Sequence, residues 1–507
     1  PRAGRRPARP RRRGRPLMAA RSRLRSGATL LSANLADMLF PFARNVALSH
    51  TLPADQYGLA ISLSVVAAFA ELATDIGLQY SAVRGHGDID PDEVYGTLHA
   101  VALLRAGLIA LGLLAAAPLV VWLLDAGHAL WAFLALAAVP LIRAFQNLGV
   151  KELTRSYEFG PDAATVVAAQ LAWTLVAVGI ALVVRDYRCM LAGILGGALV
   201  SVVVSQAMAR RPWRLAWNRE VAREAERFGR PLIPNGMANA FSIMGDRLLV
   251  GSALGVSMLA LYNNAMGIAL IPRGQLIKFL TSVYLPAFVT RTPAEAARAR
   301  LHDQWAVWLS LAAFAYGLGL LSLGRPVIGL VFGPAYTPSL ALMSAIAVDV
   351  SVKTLLAFPV PPCLAAGQTR FVLWGSIAGA GVVLIAAATI PLHRSLAGFV
   401  GGLAAGETLV LAGIVWRTLG WHGFSPRLAW FLVLFPIGAL LALAALAPQA
   451  AALPFGHWFA LCVAYGLAGL AVYAVALRLS GLSPADLVRM RAPADRTVPA
   501  AEPAEAA

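Results

Sequence analysis

The sequence predicts an all-α polytopic membrane protein with about 14 transmembrane helices, because membrane-crossing helices need about 20 mostly apolar residues each. Hydrophobic residues make up 59% of the 507-residue chain, and charged residues only 13%. A soluble domain carries about 25% charged residues. Long apolar runs also follow one another along almost the whole chain. These observations exclude a soluble enzyme.

Scanning for apolar runs gives fourteen segments, which we call spans 1 to 14 in chain order. They cover residues 29–49, 56–80, 98–123, 129–149, 163–184, 189–209, 232–253, 258–287, 304–324, 339–365, 371–391, 395–416, 428–447 and 456–477. Spans 1, 2, 7 and 8 are the most polar. An even number of crossings predicts that both termini lie on the same side of the membrane.

The distribution of basic residues predicts the orientation. With a cytoplasmic N terminus, most of the 42 Lys and Arg residues fall in cytoplasmic segments. The outside loops then contain only Arg185, Arg188, Arg325 and Arg394. By the positive-inside rule, both termini are therefore cytoplasmic. The net charge of +17 follows the same asymmetry and does not predict a nucleic-acid partner.

An internal repeat predicts two lobes of six helices. The segment "RNVALSHTLPADQYGLA" (44–60) joins spans 1 and 2, and "RLLVGSALGVSMLALYNNA" (247–265) joins spans 7 and 8. Each has an Arg late in one helix and a Tyr early in the next. Six spans separate them, which predicts a parallel repeat about an axis along the membrane normal. The predicted parts are a disordered leader (1–26), an N-terminal lobe (27–210), a cytoplasmic linker (211–231), a C-terminal lobe (232–418), two additional transmembrane helices (419–480) and a disordered cytoplasmic tail (481–507).

Two polar segments have local explanations. The basic stretch "RRPWRLAWNREVAREAERFGR" (210–230) is either a topology signal, which we favour, or an amphipathic segment on the anionic leaflet. The acidic stretch "DIDPDE" (88–93) lacks the Gly of a calcium-binding loop. Asp90, Pro91 and Glu93 instead match the N-cap, N1 and N3 positions of a capping box.

Polar residues in four spans recur at helical spacing, so each set predicts one polar stripe. These spans are the first two helices of each predicted lobe. Pairing the lobes would enclose a central polar cavity. The candidate cavity residues are Asn34, Asp37 and Arg44 in span 1, Glu71 and Asp75 in span 2, Asn235, Asn239, Asp246 and Arg247 in span 7, and Asn263, Arg273 and Lys278 in span 8.

The cationic members of this set suit an anionic ligand, since arginine can bind phosphate oxygens through two hydrogen bonds. The acids could balance these charges or couple transport to a proton or sodium gradient. The alternative interpretation is hydrogen bonding that only holds the bundle together. In span 10, Asp349 and Lys353 form a predicted structural ion pair. In span 12, Glu407 follows a stripe of small residues that predicts helix packing. Arg105, in span 3, is isolated.

No enzyme site is predicted. The loops are too short for a catalytic domain, and the sequence has no phosphate-binding P-loop, Ser-His-Asp set or zinc-ligand spacing. We therefore predict no catalytic residue, metal or cofactor.

Three segments resemble a known family. They are "LPADQYGLAISLSVVAAFAELATDIGLQYSAVRG" (52–85), "FGRPLIPNGMANAFSIMGDRLLVGSALGVSMLALYNNA" (228–265) and "GRPVIGLVFGPAYTPS" (324–339). Their order and spacing resemble the polysaccharide biosynthesis/oligosaccharide flippase family of the multidrug/oligosaccharidyl-lipid/polysaccharide exporter superfamily.

The resemblance implies a transporter of the bacterial inner membrane. It would flip a polyprenyl-pyrophosphate-linked oligosaccharide by alternating access for O-antigen, capsule or exopolysaccharide assembly. Its partners would include membrane lipids, a polysaccharide polymerase and chain-length machinery. The alternatives are a peptidoglycan-precursor flippase or cation-coupled drug exporter of the same superfamily, and, less favoured, a polysaccharide polymerase or ligase.

Overall fold

A computed structural model describes residues 15–84, 89–155, 158–230, 232–290, 295–365, 369–393, 395–419, 426–450 and 454–479. Within these ranges all regular secondary structure is helical, and no strand occurs. The predicted all-α fold class is therefore confirmed. The long apolar runs dictate this outcome, because a helix satisfies its backbone hydrogen bonds internally where no water is present.

In the first half, each predicted span coincides with one helix or with a series of shorter helices. The long helices are Arg15–Thr51, Ala54–Ala73, Pro91–Leu123, Gly160–Val184 and Arg188–Met208, and span 4 is divided into Gly127–Ala129, Leu130–Ala135 and Ala138–Ala144. Short helices at Leu78–Arg84 and Val150–Arg155 follow spans 2 and 4. The linker contains a further helix, Arg219–Gly229, which we call the linker helix.

The second half follows the same correspondence. Its helices are Leu232–Leu254, Val256–Thr290, Glu295–Gly319, Arg325–Phe332, Leu340–Leu355, Val360–Ala365, Thr369–His393, Leu396–Leu419, Pro426–Ala445, Ala447–Ala450 and Phe455–Leu479. A π-helical segment, Leu320–Gly324, joins two of them in span 9. Pro326 follows directly and has no backbone N–H for the regular ladder, which accounts for the irregular turn.

Among the described residues, nine helices are long and apolar enough to cross a membrane. They belong to spans 2 to 6, 9 and 12 to 14. Spans 1, 7, 8 and 10 fall outside this group, and span 11 contains a shorter apolar helix, Trp374–Ala388. The chain is thus a multi-pass membrane protein, while the count of fourteen crossings stays a prediction.

Helix packing repeats between the two halves. Span 1 packs along span 5 and span 5 along span 6, while span 7 packs along span 11 and span 11 along span 12. Span 2 packs against spans 7 and 8 and so joins the halves. This pattern agrees with two lobes, whose exact boundaries remain predictions.

The chain passes from span 7 to span 8 through a single residue. Gly255 lies between Leu254 and Val256 with a φ of +91°, a conformation that residues with a Cβ rarely adopt. This turn lies on the side that the basic residues predict to be outside. We call that side of the protein the outer end.

The predicted leader is partly helical. The first helix begins at Arg15, so residues 15–26 are not the disordered segment expected from the sequence. They are rich in Ala, Leu and Arg, which favour helix, and they extend span 1 without a break. Residues 1–14 and the predicted tail, 481–507, lie outside the described residues.

Candidate substrate cavity

A cavity of about 580 Å³ lies within the N-terminal lobe. Spans 1 to 6 contribute to its wall. Its polar lining includes Asp37, Glu71, Asp75, Arg105, Arg143, Gln146, Thr165 and Gln170. Three of these residues, Asp37, Glu71 and Asp75, were predicted from the polar stripes of spans 1 and 2. The cavity therefore brings both stripes into one space.

Arg143, in span 4, gives this cavity a cation that was not among the predicted cavity residues. Its Nη1 forms an ion pair with Glu71 Oε2. The Glu71 side chain keeps 59% of its surface exposed, so the pair remains accessible from the cavity. On the opposite wall, Gln170 Nε2 donates a 2.7 Å hydrogen bond to Asp37 Oδ1. Arg143 lies in Ala138–Ala144, the last short helix of span 4.

Arg105 and Asp75 organise the end of span 2. Arg105 donates from Nε to the Thr74 carbonyl at 2.7 Å and from Nη2 to the Glu71 carbonyl at 3.2 Å. These carbonyls have no partner further along the helix, and a cation at a helix C terminus also interacts favourably with the helix dipole. Asp75 Oδ1 accepts a 2.9 Å hydrogen bond from the Gly77 backbone N–H. Arg105 thus has a structural role at the cavity wall.

A second cavity, of about 390 Å³, lies between spans 1 and 8 and so between the lobes. Its polar lining consists of Asn34, Asp37, Asn45, Asn263, Asn264, Gln275 and Lys278. Asp37 lines both cavities, so the two adjoin at this residue. Lys278 is exposed and forms no ion pair with a residue that the structure describes. Among the described residues there are thus two adjoining spaces lined by candidates of spans 1, 2 and 8, and no candidate of span 7 lines either. The single central cavity predicted from four spans is not what the structure shows.

The lobes are in close contact at the outer end. Tyr57 donates a 2.7 Å hydrogen bond to Asn264 Oδ1 across the lobes, and both residues are buried. The Tyr57 ring also lies edge-on to Tyr336, with centroids 5.6 Å apart. Burial, together with the charge of Asp55, raises the pKa of Tyr336 to about 12. His50 Nε2 donates to the Val331 carbonyl at 2.9 Å. These contacts form what we call the outer seal.

Arg44 lies away from both cavities. It is 4% exposed, and its Cζ lies 4.0 Å from the centroid of a Trp173 ring. Its Nη1 lies 3.5 Å from Thr174 Oγ1, at the limit of a hydrogen bond. A guanidinium over an aromatic face is attracted by the ring quadrupole. The structure therefore places Arg44 between spans 1 and 5, where it joins helices of one lobe.

The charged pair of span 7 also has partners within its own lobe. Asp246 Oδ2 accepts a 2.6 Å hydrogen bond from Tyr262, and Asp246 Oδ1 lies 3.3 Å from Arg247 Nη1. Arg247 donates from Nε to Asn263 Oδ1 at 3.3 Å. Asn263 lines the interlobe cavity, so this network reaches the cavity through one side chain. Asn235 and Asn239 are half-buried on the same span and line neither cavity.

A buried ionic cluster occupies the C-terminal lobe. Lys353 Nζ lies 2.6 Å from Asp349 Oδ1 and 2.9 Å from Glu407 Oε1. Arg273 Nη2 donates to the Lys353 carbonyl and lies outside both cavities. The ion pair between Asp349 and Lys353 was predicted from their spacing. Glu407 was assigned to helix packing because its partner lies on another span, which local spacing does not identify.

The linker is anchored to the N-terminal lobe on the side that the basic residues predict to be cytoplasmic. Arg211 forms an ion pair with Asp92 and lies 3.1 Å from Glu152. The hydrogen bond with Asp92 raises the pKa of Arg211. Asp90 accepts from the Asp92 N–H at 3.1 Å, as expected of the predicted N-cap. Glu93 instead accepts from Asn218 Nδ2 at 3.1 Å, so its carboxylate binds the linker.

The sequence matches a protein family over a large part of its length. The family is described as "Polysaccharide biosynthesis protein", and the match covers residues 48–341. This range is more than half of the chain. The chain belongs to this polysaccharide biosynthesis protein family. The predicted family resemblance is thereby confirmed. The comparison with curated proteins gives no match.

Solved structures with the same fold are transporters. A "Lipid II flippase MurJ, inward closed conformation" has a TM-score of 0.66 at 10% identity, covering 88% of this chain and 98% of that chain. An inward-facing "multidrug resistance MATE family transporter of the MOP superfamily" has a TM-score of 0.56 at 16% identity, covering 80% and 96%. A MOP superfamily transporter from Pyrococcus furiosus has a TM-score of 0.50 at 16% identity, covering 79% and 95%.

These likenesses establish the fold. This member of the polysaccharide biosynthesis family has the architecture of MOP superfamily transporters. At that level of family and fold, the prediction of a transporter instead of an enzyme is confirmed.

Proposed function

We propose that the protein flips a polyprenyl-pyrophosphate-linked oligosaccharide across the bacterial inner membrane, with both termini in the cytoplasm. The product would supply O-antigen, capsule or exopolysaccharide assembly, where a polysaccharide polymerase and chain-length machinery are the expected partners. The observation that carries this proposal is the pair of adjoining polar cavities beneath a closed outer seal. Membership of the polysaccharide biosynthesis family supports the glycan as the substrate class.

The chemistry of the cavities fits such a substrate. Glycan hydroxyl groups both donate and accept hydrogen bonds, and the cavities offer the amides of Asn34, Asn263 and Gln170 together with the carboxylate of Asp37. The pyrophosphate needs cations, and Lys278 is an exposed one. The lipid chain needs no polar space, because it remains in the hydrocarbon region.

Alternating access would follow from the way the lobes meet. The outer seal closes the cavities on one side, and its interlobe hydrogen bonds are those of Tyr57 with Asn264 and His50 with Val331. Two states of the lobes that differ by a few kcal/mol would allow ligand binding to shift their populations. We infer that breaking this seal exposes the cavities to the outside. A proton or sodium gradient would drive the cycle through the cavity carboxylates.

The test uses the full chain in proteoliposomes with a fluorescent polyprenyl-pyrophosphate oligosaccharide, whose exposure is measured by quenching from outside. We expect translocation with this substrate and slower translocation with lipid II. Translocation of lipid II alone would favour the peptidoglycan-precursor alternative, and export of a cationic dye alone would favour the drug exporter. A protonophore and a sodium ionophore, added separately, identify the coupling ion.

A deletion strain provides the cellular counterpart. Loss of the flippase should leave the lipid-linked glycan on the cytoplasmic side and remove the surface polysaccharide. Normal surface polysaccharide in that strain would contradict the proposal.

A further inference from the structure

A third cavity, larger than the two polar ones, lies on the outside of the protein. A groove of about 1130 Å³ runs along the outside of the seam between spans 2 and 7, with span 3 as one wall. Its lining is almost wholly apolar and includes Val66, Phe69, Leu104, Leu108, Leu119 and Phe241. Leu108 is 73% exposed. The groove therefore faces the hydrocarbon region of the membrane.

The length of this groove is close to the thickness of the hydrocarbon core. Its span 3 wall extends from Val101 to Val120, which corresponds to roughly 28 Å at 1.5 Å per residue. The hydrocarbon core is about 30 Å thick. An acyl chain of a phospholipid reaches only the midplane from its own surface. A groove of this length matches one long isoprenoid chain better than a diacyl lipid.

One end of the groove is positively charged. The linker helix and its C-cap residue contribute Arg219, Arg223, Glu226 and Arg230 to the lining, at steps of four, three and four residues. They share one face of that helix. The three arginines are exposed and form no ion pair with any residue in the described ranges. Their net charge with Glu226 is positive, and they lie at the predicted cytoplasmic end.

The opposite face of the linker helix holds it in place. Val221 and Ala225 are buried against Val94, Tyr95 and Leu98 at the start of span 3. Asn218 caps the helix by accepting from the backbone N–H groups of Glu220 and Val221. The arginine face is therefore fixed beside the groove and is not free to turn toward the cytoplasm.

We propose that, before translocation, this groove holds the polyprenyl chain of the substrate on the cytoplasmic side, with the pyrophosphate at Arg219, Arg223 and Arg230. The pyrophosphate would reach Lys278 only in a later step, when the head group enters the interlobe cavity. The inference rests on the proposed function. Arg105, Ala70, Ile109 and Leu113 line both the groove and the N-terminal cavity. Only one layer of side chains from spans 2 and 3 separates the two spaces. A lipid chain in the groove would therefore keep its glycan within reach of the polar cavity.

Photocrosslinking tests the position of the chain. A benzophenone amino acid replaces Leu108 in the full chain, reconstituted in phosphatidylethanolamine nanodiscs with radiolabelled polyprenyl pyrophosphate. The matched control is the same replacement at Leu409 in span 12, which is 75% exposed and lies outside the groove. We expect several-fold more label at position 108. Equal labelling at both positions would overturn the proposal.

Competition identifies the occupant. Unlabelled polyprenyl pyrophosphate in excess should remove the label at position 108, and phosphatidylglycerol in the same excess should not. Equal competition by phosphatidylglycerol would assign the groove to phospholipid and overturn the proposal.

The arginine end is tested by charge. Arg223→Gln should lower labelling at position 108 about five-fold, as expected for one Arg lost near an anionic group. The control is Arg227→Gln on the same helix, which is exposed and does not line the groove. Equal effects of the two substitutions would show a general surface charge and contradict the assigned phosphate contact.

Labelling is measured without transport, so the two proposals can fail separately. Preferential labelling in a protein that does not translocate the oligosaccharide would refute the proposed function and leave the groove assignment standing. Translocation without preferential labelling would refute the groove assignment alone.

Discussion

Tyr57 donates a 2.7 Å hydrogen bond to Asn264 across the lobes, whereas Tyr262, its counterpart in the sequence repeat, bonds to Asp246 within its own lobe. The repeat is therefore symmetric in sequence and asymmetric in contacts. The other atom of this amide, Asn264 Nδ2, is buried and has no hydrogen-bond partner among the described residues. The bond from Tyr57 is therefore the only side-chain hydrogen bond of Asn264 in the described part of the chain. The Tyr57–Asn264 bond contributes to the outer seal, whereas the Tyr262–Asp246 bond lies within one lobe and does not.

The first prediction concerns this bond. Tyr57→Phe leaves a buried amide oxygen unsatisfied, which costs about 1–3 kcal/mol in the sealed state. We expect the open state to gain population. Spin labels at Ala54 and Ala335, both exposed at the outer end, would report a longer interlobe distance. Tyr262→Phe is the matched control and should leave this distance unchanged, and an equal shift in both variants would contradict the assignment.

A second prediction concerns the closest backbone approach of the seal. A methyl group at Gly58 would overlap the Val256 carbonyl oxygen. Backbone at this position has little freedom to yield, so Gly58→Ala should hold the outer end open and abolish translocation while membrane insertion is retained. Gly179→Ala is the control, because a Cβ there meets nothing within 4 Å. Normal transport by Gly58→Ala would show that this approach is dispensable.

The third prediction concerns Lys278, the exposed cation of the interlobe cavity. Lys278→Gln removes the charge that we assign to the pyrophosphate. Charge-assisted hydrogen bonds are worth about 1.5–3 kcal/mol, so we expect KM for the lipid-linked oligosaccharide to rise about ten-fold or more. Arg185→Gln, at an exposed position outside the cavities, should leave KM unchanged. A fall in kcat at constant KM would point to a role in the conformational change instead.

The fourth prediction concerns the buried cluster of the C-terminal lobe. Lys353→Met leaves Asp349 and Glu407 without their shared cation. Breaking a buried ion pair costs about 3–5 kcal/mol, so we expect a large fall in the Tm of the purified protein. Glu407→Gln should lower the Tm less, because Lys353 keeps its bonds to Asp349. Equal Tm values for the wild type and Lys353→Met would show that the cluster does not stabilise the fold.

The local sequence was sufficient for the helices and their polar faces. Apolar runs of membrane length predict helices, because backbone groups in lipid must be satisfied within their own segment. Asp90 and Pro91 marked the start of span 3 because capping depends on residues a few positions apart. The stripes of spans 1 and 2 likewise placed Asp37, Glu71 and Asp75 on the cavity, since helical periodicity decides which residues share a face.

Only the tertiary structure decided which charged residues meet partners on other spans. Arg44 and Trp173 are far apart in sequence, and so are Lys353 and Glu407, so no local period predicts either contact. Arg143 lines the cavity and pairs with Glu71, a partner on another span that local spacing does not identify. A charged side chain within a membrane needs a partner or water. The sequence shows which side chains are charged, but it does not identify their partners. The packing of the spans selects the partner, and it also creates the apolar groove along the seam between the lobes.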